Sequence, residues 1–376
     1  MKQIIKPILF ILTFVIAGDD WTDNKKAIDK SVKKHQKELI KISDAIWHNA
    51  ELALEEYKSS KILSDYAEKN GFNVERGVAG MPTAFIATYG SGRPRIGILG
   101  EFDANAGISQ KQKTTKEALI EGAPGHGCGH NLYGTASLGS AIAIKELIEK
   151  RKIKGTIVFY GTPAEETIFG KVWFARAGLF NDLDVCMDWH PGTKNEASTQ
   201  SSKALIDFRV KFSGKTAHAS ADPFNGFSAV DGMELFTTGI NYYREHIKPT
   251  ARIHYQIEKA GDVVNVVPDK AQIWVRVREN DRESLNVVYE RVKKMAAAGA
   301  LMAEVEHEIQ LISGIYEILP NRRGAEVVQA NFEMLGSIKY TKSEDRYAKA
   351  IQKETGKPEV GMDGEIYPIR ETLPAQ

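Results

Sequence analysis

The sequence predicts an α/β fold in which a mostly parallel sheet is flanked by helices, with a smaller α+β domain inserted. Apolar runs that lack polar alternation take turns with segments of helical spacing, which is typical of strands buried on both faces. A later stretch has the element order β-α-β-β-α-β, the order of a ferredoxin-like unit. The 376 residues are 42% hydrophobic, enough for two domains with cores of their own.

The first domain follows from the spacing of apolar residues. Residues 24–70 place them three and four positions apart up to Gly71, which predicts helix, and a second helix is predicted at about 132–150. Four apolar runs predict strands, at 83–90, 95–103, 155–163 and 184–191.

The inserted domain begins near Ser201, where the composition shifts. Two helices are predicted between its strands, at 231–247 and 285–302. The strands are predicted at 203–214, 251–260, 270–279 and 304–312. We therefore expect a first domain in two pieces, 18–200 and 309–376, with the inserted domain at 201–308.

Charge indicates the kind of partner. The 50 basic and 49 acidic residues give a net charge of +1 and are spread along the chain. Nucleic acids and anionic membrane surfaces are bound by basic patches, which this sequence lacks. A small molecule is the expected partner.

The first 17 residues form a candidate export signal. Lys2 and Lys6 precede ten apolar residues, ILFILTFVIA, and small residues follow where a signal peptidase would cut. Ten apolar residues are too few for an uncleaved anchor, which needs about 20. We expect an exported protein, periplasmic or secreted.

The only two cysteines, Cys128 and Cys186, leave two interpretations open. Export would allow them to form one disulfide. However, Cys186 lies in an apolar run that predicts a buried strand, whereas Cys128 lies among glycines and histidines. The second setting is typical of a metal ligand.

Ligand-type side chains follow the predicted strands. In open α/β sheets the carboxyl ends of neighbouring strands form one crevice, so residues distant in sequence converge there. These residues are Glu101 and Asp103, Glu165 and Glu166, and Asp188 and His190.

The glycine loop, residues 122–130, opens onto the same edge. Cys128 and His130 flank one glycine, and a thiolate with an imidazole suits zinc or another transition metal. The following helix directs its positive end at Cys128 and would favour the thiolate. Adjacent Glu165 and Glu166 cannot both stay charged in a dry crevice without a cation, although a solvated pair opening a helix is the alternative. His218, by its own surroundings, fits a structural role.

Several motifs together resemble the dinuclear metallo-aminoacylase and carboxypeptidase family, in the branch that contains aminobenzoyl-glutamate hydrolase. They cover nearly the whole chain after the export signal. In order they are WHNAELALEEYKSS, GEFDA with GISQ, GHGCGHNLYG, GTPAEET, MDWHP, GKTAHASADPFNG and NVVPD.

The resemblance implies a zinc-peptidase-like catalytic domain with a lid and dimerisation domain, and hydrolysis of amide bonds in N-acyl amino acids, aminobenzoyl-glutamate-like conjugates or dipeptides. It implies a homodimer and two divalent metal ions, zinc or manganese. Glu165 matches the general base, and His218 matches the histidine that reaches a partner's active site. Asn265 matches a substrate-binding position. The matching metal ligands are Cys128, His130, Glu166 and His190.

This sequence departs from the family pattern at the last metal ligand, which in the family is a histidine from a C-terminal segment. No histidine follows His307, and residues 357–376 resemble the start of that segment cut short. One metal in place of two, or a non-catalytic homologue that only folds and dimerises, is therefore an alternative. A further alternative is a thiol hydrolase with Cys128 as the nucleophile.

Overall fold

The computed structural model describes residues 21–371, so the expected export signal lies outside the described residues. The chain divides into two compact units. Unit 1 contains the described residues up to Thr199 and those from Asn321, and unit 2 is Gln200–Pro320. Within residues 21–371, no helix combines the length and apolar character that crossing a bilayer requires.

Unit 1 is built around a five-stranded sheet. Its strands are β1 Asn73–Arg76, β2 Phe85–Ser91, β3 Arg95–Gly100, β4 Gly155–Gly161 and β5 Val185–Met187. Its helices are α1 Trp21–Asn49, α2 Tyr57–Lys69, α3 His130–Glu149, α4 Glu165–Ile168 and α5 Lys171–Arg176 and, after unit 2, α8 Arg322–Leu335 and α9 Lys342–Glu354.

The predicted α/β class is confirmed, but the sheet is mixed. Its order is β1-β2-β4-β3-β5, with β3, β4 and β5 parallel and β2 antiparallel to both of its neighbours. Residues 77–84 connect β1 to β2, and this is too short for the crossover that a parallel pair requires. Strand β1 itself is short and polar, with the sequence NVER, so its hydrophobic pattern did not predict a strand.

The expected helical stretch 24–70 is interrupted at residues 50–56. Ala50 and Leu54 have positive φ angles of 42° and 64°, which end the first helix without a glycine or proline. The carboxylate of Glu51 accepts hydrogen bonds from the backbone N–H groups of Lys58 and Ser59, at 3.0 and 2.8 Å. This carboxylate satisfies donors at the start of α2 that no helical carbonyl can reach.

Helix α3 packs against the sheet unusually closely at Gly134. A Cβ atom at this position would lie 2.6 Å from the carbonyl oxygen of Glu101, which follows β3. The contact brings the first turn of α3 next to the end of β3. Around it, Phe85, Phe102 and Phe159 form the buried centre of the core.

We expect Glu146→Gln to destabilise unit 1 by about 1–3 kcal/mol at pH 7, because a half-buried acceptor of charged hydrogen bonds is lost. Glu146, on α3, accepts from Lys34 at 2.7 Å and pairs with His35 at 3.1 Å. Burial would raise its pKa, but these bonds outweigh it and lower the pKa to about 2. Urea unfolding of both proteins at pH 7 measures the difference.

The pH dependence has a definite sign. The lowered folded pKa stabilises the wild type above the usual carboxyl pKa, and this contribution disappears as the pH falls from about 4.5 towards 2. The difference in unfolding free energy between wild type and Glu146→Gln should therefore decrease in acid. Glu149→Gln is the matched control. Glu149 pairs with Lys145 but is half exposed, and exposed pairs of this kind contribute at most about 1 kcal/mol to the free energy of unfolding. An equal loss in both variants would refute the role of Glu146.

Unit 2 has the predicted element order. Its elements are β6 Ala204–Ser213, α6 Ala229–Tyr243, β7 Arg252–Ala260, β8 Lys270–Glu279, α7 Arg282–Met302 and β9 Glu306–Ile315. The sheet order is β7-β8-β6-β9 with every pairing antiparallel. Both helices share a core with the sheet, as expected of the ferredoxin-like arrangement.

Candidate metal centre

Three parallel strands of unit 1 end at one edge of the sheet, and each is followed by ligand-type side chains. Glu101 and Asp103, both 1% exposed, follow β3. Glu165 and Glu166 follow β4 by a short turn, and His190 follows β5. The parallel pairing of these strands brings the three segments to a common crevice.

The glycine loop approaches the same crevice closely. Gly129 has a φ of 78° immediately before α3, and a Cβ atom there would lie 3.1 Å from the side chain of Pro191. One ligand atom each from Cys128, His130 and His190 lies within 4.8 Å of the others. The turn thus places a thiol and two imidazoles around one point.

His130 has one ring nitrogen fixed and the other unpartnered. Its Nδ1 donates to the carboxylate of Asp103 at 2.9 Å, so in the neutral imidazole Nε2 has no hydrogen and can bind a metal ion. Nε2 lies 3.0 Å from Oε2 of Glu101 and 4.0 Å from Oε1 of Glu166. Burial lowers the pKa of His130, but Asp103 and the other carboxylates outweigh it and raise the pKa to about 9. A metal ion would therefore bind Nε2 in exchange for its proton.

The three facing atoms provide a test of whether a cation fits. Oε2 of Glu101, Nε2 of His130 and Oε1 of Glu166 are buried and have no hydrogen-bond partner among the described residues. Buried ligand atoms without partners are costly unless a cation or another donor joins them. Their mixture of oxygen and nitrogen, with the Cys128 sulfur nearby, suits a transition metal such as zinc.

Two buried carboxylates hold the turn that carries Glu165 and Glu166. Glu56 accepts a hydrogen bond from the backbone N–H of Ala164 at 2.9 Å, and Ala164 has a strained φ of 62°. Asp103 accepts from the N–H of Glu166 at 2.9 Å with the oxygen that His130 does not use. Burial, with the nearby carboxylates, raises the pKa of Glu165 to about 7.

The two remaining predicted site residues, His218 and Asn265, lie in unit 2 outside its core. The carbonyl of Asn265 accepts from the N–H of Ala219 at 3.1 Å, so the two loops are neighbours. Nδ1 of His218 accepts from the N–H groups of Ser220 and Ala221 at 3.2 and 3.1 Å. The ring hydrogen is therefore on Nε2, which is left to donate.

Comparison with known proteins identifies the family. Residues 200–302 match the model of a peptidase dimerisation domain, M20_dimer. One subunit of the p-aminobenzoyl-glutamate hydrolase of Escherichia coli is 37% identical over 327 residues, which cover 86% of this chain and 68% of that protein. This chain belongs to the M20 peptidase family. It is a metal-dependent amidohydrolase of that family, as its sequence predicts.

Other comparisons agree with this assignment. Human Xaa-Arg dipeptidase is 30% identical to this M20 chain, over 83% of the chain and 70% of the dipeptidase. A Klebsiella pneumoniae aminobenzoyl-glutamate utilization protein has the same fold, with a TM-score of 0.65, 18% identity and coverage of 92% and 93%. A dinuclear metal-binding M20 peptidase of Bacillus subtilis matches with a TM-score of 0.53 and 18% identity, over 91% of this chain and 84% of that one.

Both cysteines of this M20 chain are free, so the disulfide alternative is not formed. Cys186 is exposed, so the burial predicted from its apolar run is wrong. Burial, with the adjacent Glu166, raises the pKa of Cys128 to about 12, the opposite direction to the effect expected of the helix N-terminus. Such a thiol stays protonated at neutral pH, which disfavours attack by a free thiolate, whereas a bound metal ion would displace the proton.

Sequence reasoning missed two residues of the crevice. Lys171 donates to Glu101, and its Nζ lies 3.5 Å from the carboxylate of Asp188, so a cationic side chain also borders the crevice. No motif or spacing marks this lysine. Glu56 lies inside the WHNAELALEEYKSS motif, but nothing in that motif says that its carboxylate reaches Ala164.

Proposed function

We propose that this M20 chain uses two divalent metal ions, zinc or manganese, to hydrolyse N-acyl amino acids, aminobenzoyl-glutamate-like conjugates or dipeptides. The observation that carries the proposal is the set of unpartnered buried ligand atoms from Glu101, His130 and Glu166. The substrate classes are supported by the names of relatives, which include p-aminobenzoyl-glutamate hydrolase, Xaa-Arg dipeptidase and N-acetyl-L-cysteine deacetylase.

Four side chains would hold the ions: Cys128, His130, Glu166 and His190. Bound ions would supply positive charge that polarises the substrate carbonyl and lowers the pKa of the attacking water. Asp103 keeps Nε2 of His130 available by fixing the hydrogen on Nδ1. The same carboxylate holds the backbone of Glu166, so one group orients two ligands.

Glu165 would be the general base. Its carboxylate takes a proton from the water that attacks the amide carbon and later delivers that proton to the departing amine nitrogen. A pKa raised to about 7 by burial suits both transfers, because the group can hold and release a proton near neutral pH. Glu56 supports this role by fixing Ala164, the residue before it.

Unit 2 would contribute to a homodimer as the lid and dimerisation domain, residues 201–308. In the sequence this domain interrupts the catalytic domain, which consists of residues 18–200 and 309–376. His218 would donate from Nε2 to the oxygen that becomes negative in the tetrahedral intermediate of the partner's site. Support comes from its fixed tautomer and the dimerisation-domain match. Asn265 would contact the substrate from the neighbouring loop. Export, on the basis of residues 1–17, is proposed from their sequence pattern alone.

Metal content tests the proposal. Purified wild-type protein should contain at least one transition-metal ion per chain, and Cys128→Ser should lose most of it, because a hydroxyl is a weaker ligand for such metals. Cys186→Ser is the matched control, since that thiol is also free but exposed, and it should keep the metal. Elemental analysis measures the content, and hydrolysis of N-benzoylglycine measures activity.

Three results would count against the proposal in different ways. Wild-type protein with less than one ion per chain, unchanged by Cys128→Ser, would refute the metal centre. Inactivation by iodoacetamide that a chelator does not affect would favour the thiol hydrolase. An intact, metal-loaded dimer that hydrolyses no acyl-amino acid or dipeptide would favour the non-catalytic homologue.

A further inference from the structure

Unit 1 contains a cavity of about 290 Å³ beside the glycine loop. One wall comes from the end of α1, and the others come from the segment between β3 and α3. Among the described residues that line it there is no aspartate, glutamate, lysine or arginine. The apolar side chains that define it are Trp47, Ile108, Leu119, Ile120 and Pro124.

The cavity adjoins the candidate metal centre through a shared wall. Gly127 lines it and precedes Cys128 in the chain. Asn105, two residues after Asp103, pairs with Gly125 through backbone hydrogen bonds of 2.9 and 3.0 Å and accepts from the N–H of Gly127 at 3.2 Å. The two segments that form this wall therefore continue directly into Asp103 and Cys128.

The wall is closely packed where it faces Ile108. A Cβ atom on Gly127 would lie 2.6 Å from Cδ1 of Ile108, and one on Gly125 would lie 2.4 Å from the Ile108 carbonyl oxygen. Larger residues at 125 or 127 would therefore displace Ile108. The two glycines allow an apolar side chain to lie directly against the loop that carries the predicted ligands.

The loop between β3 and α3 satisfies the polar side chains of Ser109 and Gln110. The amide nitrogen of Gln110 donates to the carbonyls of Lys111 and Thr115 at 2.9 Å each, and its oxygen accepts from the N–H of Glu117 at 3.2 Å. The hydroxyl of Ser109 accepts from the N–H of Ile120 at 3.2 Å. These bonds satisfy the side chains of Ser109 and Gln110 without a ligand. Among the other lining residues, Nδ1 of His126 is buried and has no hydrogen-bond partner within residues 21–371, so the cavity offers apolar contacts and one buried imidazole nitrogen.

Three apolar side chains around the cavity remain exposed to water. Ile108 is 46% exposed, Leu119 is 47% exposed and Ile120 is 66% exposed. Exposed apolar residues that converge on one concave site mark a place where an apolar group binds. An apolar cavity of about 150 Å³ holds benzene, so 290 Å³ admits a substituted ring.

We propose that this cavity is a specificity subsite that takes an uncharged aromatic ring, or a branched apolar group of similar size, carried by the amide substrate. That the group belongs to a substrate depends on the proposed function, whereas the affinity of the cavity for an apolar ring does not. A charged group is disfavoured because the described lining contains no aspartate, glutamate, lysine or arginine, and only the imidazoles of His48 and His126 could offset its lost hydration.

Two probes that differ only in the acyl group test the subsite. Calorimetry on the chelator-treated protein measures binding without hydrolysis, and N-benzoylglycine should bind at least about tenfold more tightly than N-acetylglycine, as expected when an apolar pocket is filled. Steady-state kinetics with metal restored should show the same preference in KM.

Substitutions of Ile120 test whether the preference for the benzoyl group arises at this cavity. Ile120→Asn should weaken N-benzoylglycine binding about tenfold and leave N-acetylglycine unchanged, whereas Ile120→Leu should retain the preference. Ile120 is mostly exposed, so neither substitution should prevent folding, and circular dichroism checks this. Val360→Asn is the control, because Val360 is also apolar and 74% exposed in unit 1 but does not line the cavity.

The outcomes separate this inference from the proposed function. Hydrolysis of amides with no benzoyl preference, or a preference that Ile120→Asn leaves intact, would overturn the subsite while the proposed function stands. Absence of hydrolysis, with N-benzoylglycine binding that Ile120→Asn weakens, would overturn the proposed function while the pocket stands.

Discussion

Glu165→Gln should lower kcat for amide hydrolysis by about 10²–10⁴-fold, because a glutamine cannot accept the proton of the attacking water. The raised pKa of this carboxyl, near 7, and its position beside Glu101 and His130 make it the base in the proposed reaction. Metal content should stay at the wild-type value, since Glu166 and not Glu165 is the proposed ligand. Rate measurement and elemental analysis on the same sample separate the two roles.

Glu75→Gln is the matched control for this substitution. Glu75 lies on β1, is exposed, and is remote in the sheet order from β3 and β5, so its loss should leave kcat within twofold, that is about 0.4 kcal/mol of activation free energy. If Glu165→Gln removes the metal together with the activity, Glu165 acts as a ligand and the assignment of the base is wrong. If kcat is unchanged, another group takes the proton.

Asp103→Asn should weaken metal binding by about 10–100-fold, the usual effect of losing a carboxylate that orients a metal-binding histidine. Asp103 accepts one hydrogen bond from the ring of His130 and another from the backbone of Glu166. An asparagine has a single carbonyl oxygen, so its NH₂ group would face one of these two donors. Either His130 or Glu166 would then lose its fixed orientation.

Titration of the metal-free proteins against a competing chelator measures this affinity. Asp65→Asn is the control, because Asp65 pairs with Lys61 and Arg76 on the surface of α2 and should leave metal binding unchanged. Unaltered affinity in Asp103→Asn would mean that His130 and Glu166 are positioned by the packing of α3 and α4 alone. That result would remove the argument for one carboxylate orienting two ligands.

The sequence by itself determined which segments meet. Apolar runs without alternation predict buried strands, and the rule that parallel strands end at one edge predicts that the residues after them converge. The structure does bring Cys128, His130 and His190 within 4.8 Å of one another, although His190 lies far from the other two in the chain. The β-α-β-β-α-β order of unit 2 was likewise readable, because each element has its own clear periodicity.

Only the tertiary structure decided how those elements pair and pack, and which side chains they bring into contact. The reversed direction of β2 depends on strand pairing. The break at Ala50 and Leu54 depends on the Glu51 cap, and the exposure of Cys186 depends on the packing around β5. Hydrophobic periodicity records whether a residue favours burial, and it contains no information about its partner. The partners of Asp103 and Glu56, and the apolar cavity beside the glycine loop, arise from contacts between distant segments, so only the folded chain defines them.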